Sequence, residues 1–170
     1  MSVDITRLAM HFLHAVALLA AMPIAAVASD AGPEAVVVRF DALLNACAFA
    51  RAAALCASPA SVIDEFPPYA WSGASACNDW ARDLRAAIGA YQAKNYRITL
   101  DGQPFVDKAG DRAYVVYRAT LTYVISGKVT TERNAKWAFV LRQLGDDWTI
   151  TSWAWSGGAS TFCNDAVTHR

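Results

Sequence analysis

The chain reads as an α+β domain in which helices come first and an antiparallel meander comes after them. Three observations predict this class. Apolar residues recur at helical spacing as far as Tyr91. From Tyr96 onward the period drops to two. Turn signals such as Ser126-Gly127 and Gly145-Asp146 then separate the later apolar runs. A doubly wound sheet would instead alternate strands with helices along the whole chain.

An export signal precedes the first helix. Leu8 to Ala21 is apolar apart from His11 and His14, and Arg7 stands before it. Pro23 and the small-x-small pattern Ala26-Val27-Ala28 then predict a signal peptide over residues 1–28. Leu8 to Ala28 is also long enough for an uncleaved anchor, but Pro23 and the alanine-rich end favour cleavage. The expected location is therefore secreted or periplasmic, with no membrane attachment after cleavage. Acidic and basic residues number 15 each, and the signal removes one of either kind (Asp4 and Arg7). With no basic excess, neither nucleic acid nor an anionic membrane surface is an expected partner. About 142 residues remain, enough for one domain with a core of its own.

The elements run in order. Pro33 starts a helix whose apolar face is Val36, Phe40, Leu43, Leu44 and Cys47. A short alanine-rich helix from Ala48 to Ala57 is stopped by Ser58-Pro59. Val62 to Gly73 forms a hairpin around Pro67-Pro68, with Asp64 opposite Trp71. A third helix runs from about Ser75 to Ala93 with Trp80, Leu84, Ala87, Ile88 and Tyr91 on one face. A strand is expected over Arg97–Leu100, and Gly102 and Pro104 interrupt the chain beyond it. Further strands are expected over Ala113–Ile125, Val129–Leu144 and Trp148–Trp155. Residues 33–157 make the domain and 158–170 a tail.

All four cysteines (Cys47, Cys56, Cys77 and Cys163) lie beyond the signal, as expected of an oxidising compartment. The hairpin brings Cys56 back beside Cys77, so this pair is the preferred disulfide. Cys47 and Cys163 then either pair or stay thiols.

The hairpin also carries the candidate chemistry. Strand alternation puts Asp64 on the face of Val62 and Phe66, and turns Glu65 the other way, toward solvent. A carboxylate among apolar groups is costly to ionise, which prepares an acid or base near neutral pH. A structural hydrogen-bonding role for Asp64 competes with this reading. The folded part holds no histidine except His169 near its end. That excludes a Ser-His-Asp triad, a His–Asp dyad and a His-ligated metal. No Gly-x-Gly-x-x-Gly or phosphate-binding loop occurs, and no cofactor is expected. Glu132 and Arg133 read as exposed charges.

The order of elements, the segment Val62–Gly73 and the ending Thr149–Trp155 resemble the SnoaL-like branch of the nuclear transport factor 2-like superfamily. The resemblance runs from about Pro33 to Gly157. It implies a cone-shaped, curved antiparallel sheet packed against three N-terminal helices and enclosing a pocket, with a possible homodimer. The superfamily includes isomerases, dehydratases, cyclases and proteins with no chemistry. Residues Arg39–Ala46 and Ala60–Asp64 are similar to ketosteroid isomerase, whose general base falls at Asp64. Its tyrosine donor falls at Phe40 and its acidic donor near Ala138 or Phe139. Both oxyanion donors are thus replaced by apolar groups, which argues against steroid isomerisation by that route.

Candidate pocket walls are Phe40, Tyr69, Trp71, Trp80, Tyr117, Trp137, Phe139 and Trp153. Three functions remain open. One is a secreted protein binding a small apolar molecule. The second is a cofactor-free enzyme with Asp64 as general base. The third is an interaction domain whose cavity is filled by Phe40, Phe139 and the tryptophans.

Overall fold

The computed structural model describes residues 32–162. The predicted signal peptide and Cys163 lie outside that range. Pro33 opens helix α1 (Pro33–Asn45), whose Pro33, Val37, Phe40 and Leu44 are buried at helical spacing. Cys47, with a φ of 56°, turns the chain away and is exposed. Helix α2 (Phe49–Ala53) is shorter than its composition suggests. The chain is already extended from Cys56, and Ser58-Pro59 lies inside strand β1 (Cys56–Ile63) instead of ending a helix. β1 tolerates Pro59 because its pairing with the later strand Asp147–Ser156 is irregular between Cys56 and Ser61, so no regular ladder bond is demanded of Pro59.

Strand β2 (Ala70–Gly73) returns against β1 with Val62 opposite Trp71 and Ile63 opposite Ala70. The expected pairing of Asp64 with Trp71 is therefore off by two residues. The turn is wider than the two prolines: the Asp64 N–H donates to the Tyr69 carbonyl, and Tyr69 takes a φ of 71°. Cys56 and Cys77 do form a disulfide, which ties β1 to helix α3 (Ala76–Ala90). α3 buries Ala76, Cys77, Trp80, Ala81 and Leu84 against the sheet.

The long strands are β3 (Lys94–Ala109), β4 (Arg112–Ile125), β5 (Lys128–Leu144) and β6 (Asp147–Ser156), and a short β7 (Ala159–Phe162) comes last. Gly102 and Pro104 do not break β3. They sit in a register shift between Asp101 and Phe105, where an irregular ladder accommodates both. The sheet order is β2-β1-β6-β5-β4-β3, antiparallel except for the β1–β6 pair, with β7 beside the start of β5. Residues 159–162, assigned by sequence to the tail, thus add a strand.

β5 contains the irregularity that matters most. Ala135 pairs with Ala119 and Glu132 with Leu121, so β5 holds one residue more than β4 across this step. Asn134, at a φ of 61°, takes up the bulge. An extra residue inverts the facing of everything on one side of it. Ala135, Trp137, Phe139 and Leu141 are buried after the bulge, and Thr130 and Glu132 before it.

Phe40 sits at the centre of the core, with ring centroids 5.7–6.0 Å from those of Trp80, Trp137, Phe139 and Trp153. Asn45 fixes the end of α1 to β3. Its side-chain amide donates to the Ile98 carbonyl and accepts from the Ile98 N–H, both at 2.8 Å.

Candidate functional site

Helix α3, the Asp64–Phe66 turn and the inner faces of β3 to β6 enclose a cavity of about 310 Å³. α3 contributes Trp80, Leu84, Ala87 and Ile88, all on the face its periodicity marks. β3 and β4 add Tyr96, Ile98, Leu121, Tyr123 and Ile125. Trp137 comes from β5, and Trp153 and Trp155 from β6.

Asp64 stands in this wall. β1 ends at Ile63, and the turn carries both Asp64 and Glu65 into the cavity lining. Strand alternation therefore does not govern Glu65, which stays exposed as the sequence predicts and also borders the cavity. The Trp80 indole N–H donates to Asp64 Oδ2 at 2.8 Å, and the Glu65 backbone N–H donates to Oδ1 at 2.7 Å. Burial pushes the Asp64 carboxyl up to about 6, against the pull of these two donors and with a small further push from Glu132.

Glu65 is pushed up to about 7, by burial first and then by the nearby Glu132 and Asp64 carboxyls. The Trp155 indole opposes this without completing a hydrogen bond. Glu132 is only 4% exposed, which corrects its reading as a surface charge. The β5 bulge points it inward, and its Oε1 accepts the Gly158 N–H. Glycine is required at position 158, where the clash is with backbone, whereas at position 157 the ends of two flexible acids can shift aside. A Cβ at Gly157 would meet the carboxyl ends of Glu65 and Glu132, and one at Gly158 would collide with the Arg133 carbonyl. The Gly157-Gly158 break between β6 and β7 therefore makes room for two acids side by side.

The Tyr96 hydroxyl is pushed well above its ordinary range by burial and by Asp64, Glu65 and Glu132, so it remains a neutral donor. The indole N–H groups of Trp137, Trp153 and Trp155 are buried and have no hydrogen-bond partner. Trp137 packs edge-on against both Trp153 and Trp155. In such an arrangement an N–H can rest on a neighbouring π face.

Of the candidate walls read from sequence, Trp80, Trp137 and Trp153 line the cavity with Asp64. Phe40 and Phe139 lie beneath it in the sealed core, so the oxyanion-donor positions of the resembled isomerase do not face the cavity here. Trp71 is buried beside the hairpin and donates to Asp83 Oδ2 at 2.9 Å. Tyr69 is 56% exposed on the turn. Tyr117 lines a separate hollow with Asp41, Asn45 and Arg97. Sequence reasoning missed Tyr96, Glu65, Glu132 and Trp155 as members of the site.

Among the described residues, no group of three acidic, histidine or cysteine side chains is arranged to hold a metal ion. Cys47, the suggested partner of Cys163, is exposed. No described helix is long and apolar enough to cross a membrane.

A candidate scytalone dehydratase of Novosphingobium aromaticivorans superposes with a TM-score of 0.62 at 11% identity, covering 81% of this chain and 91% of that one. A nuclear transport factor 2-like protein of Salmonella enterica serovar Typhimurium gives 0.58 at 18% identity over 78% and 92%. The fold is that of the nuclear transport factor 2-like superfamily. A hexachlorocyclohexane dehydrochlorinase, LinA type 2, shares this nuclear transport factor 2-like fold with a TM-score of 0.63 at 8% identity, over 77% and 86%. No protein-family model and no curated protein sequence matches the chain. The neighbours share its cone-like architecture and include both named enzymes and proteins named only for the fold.

Proposed function

We propose that this chain is an exported pocket protein that binds a small, largely apolar molecule. The observation that carries the reading is the open cavity itself. Phe40 and Phe139 pack in the sealed core outside its lining and leave about 310 Å³ open. A space of that size, walled by aromatic rings and edged by a few polar groups, is the usual form of a small-molecule site. The Cys56–Cys77 bridge fits an oxidising compartment, in line with the signal-like N-terminus.

A second reading keeps Asp64 as a general base. Tyr96 favours it, because a neutral, buried hydroxyl lines the same cavity as a carboxyl poised near 6. Binding stands first because the wall is chiefly aliphatic and aromatic, and the Trp80 N–H, the donor nearest Asp64, is already engaged by that carboxyl.

Fluorescence titration with the neutral dye N-phenyl-1-naphthylamine tests the reading. The parent should enhance dye emission saturably, and Ala87→Trp, which fills the cavity from α3, should lose at least tenfold in affinity while keeping the parent's circular dichroism. Equal dye binding by a folded Ala87→Trp would place the ligand elsewhere and refute the proposal. Asp64→Asn should still bind dye if the pocket is only a binding site or if Asp64 is a base, since neither role needs the charge for an apolar ligand.

A further inference from the structure

Among the described residues, the cavity wall carries charge of one sign only. Asp64 and Glu65 line it, Glu132 lies against Glu65, and no described lysine, arginine or histidine belongs to the lining. The remaining wall is aliphatic and aromatic, with Trp80, Trp137, Trp153 and Trp155 prominent. These four indoles are the largest aromatic groups of the wall. An aromatic ring attracts a cation over its face, and the attraction strengthens out of water. Crowded carboxyls in an apolar wall repel one another, and one positive charge offsets that repulsion. A bare metal ion fits poorly, since no three of these groups are spaced to ligate one.

We propose that the ligand of this pocket is an organic cation: an amine or quaternary ammonium head set against Asp64 and Glu65, on an apolar body lying along the indoles. The inference rests on the pocket reading above and gives it a ligand class. An anionic or carboxylate-bearing molecule of the same size is excluded by the same wall. The β5 bulge and the Gly158 N–H acquire a role here, because together they hold Glu132 beside Glu65.

The test compares two molecules of nearly identical shape, benzyltrimethylammonium and neopentylbenzene, which differ by one positive charge. Binding to the full folded protein is followed at pH 8 by tryptophan fluorescence and calorimetry. The cation should bind at least tenfold more tightly than the hydrocarbon. In Glu65→Gln the ratio of the two affinities should narrow at least threefold. Equal or tighter binding of neopentylbenzene, or a ratio unchanged in Glu65→Gln, would overturn the cation assignment and leave the pocket reading standing. Failure of both molecules to bind would overturn the pocket reading and the inference together.

Discussion

Asp64→Asn should be less stable than the parent in mild acid and more stable above neutrality. The carboxyl moves from 3.8 in the unfolded chain to about 6 in the fold, chiefly through burial. The folded state therefore holds a proton that the unfolded state has already released. Parent stability falls as pH rises between these two values and stays low above the higher one. The loss is on the order of 3 kcal/mol. Asparagine carries no charge and escapes it. Asparagine also has one acceptor oxygen, so it can satisfy only one of the Trp80 and Glu65 N–H groups, at a loss of about 1 kcal/mol.

The stability curves should cross near about pH 5, with the variant ahead by roughly 2 kcal/mol at pH 8. Urea midpoints across pH 4–8 measure this. Asp41 and Glu65 are also raised, and Asp79 and Asp83 are lowered, but all four are present in both proteins. Removing the Asp64 charge also eases ionisation of Glu65, which moves the difference in the same direction. A variant less stable at every pH would mean that Asp64 serves the fold through its hydrogen bonds alone.

Replacing both Cys56 and Cys77 by alanine should lower stability by about 3 kcal/mol, a drop of roughly 6–12 °C in the unfolding midpoint. The bridge spans 21 residues and restricts the unfolded chain over that loop. It also has a local task, because α3 supplies Trp80, Leu84, Ala87 and Ile88 to the cavity. Dye affinity should therefore weaken along with stability. A midpoint within 2 °C of the parent, with and without reductant, would show that packing alone holds α3 in place.

Period and turn chemistry made the helices, the long strands and the Cys56–Cys77 bridge legible, because each depends on local pattern or on one hairpin. Asp64 was legible for the same reason. The residues that escaped were set by irregularities that a pattern of strict alternation conceals. Ending β1 at Ile63 brought the exposed Glu65 to the border of the cavity, and one extra residue at Asn134 buried Glu132. The adjacent glycines Gly157 and Gly158 were the available signal for the acid pair, since two glycines after an aromatic strand mark close approach. Tyr96 was hidden by its place at the start of β3, where the sequence suggested only the onset of a strand. Phe40 and Phe139 were assigned to the wall because nothing in the sequence distinguishes a cavity floor from the core beneath it.

The measurement closest to the central claim is a carbon-13 titration of the Asp64 and Glu65 side-chain carboxyls, with and without N-phenyl-1-naphthylamine. If the acids and the apolar cavity form one site, the free protein should titrate near about 6 and about 7. Neutral ligand should raise both values further by excluding water. Carboxyls that titrate near 4 and ignore the ligand would contradict the account.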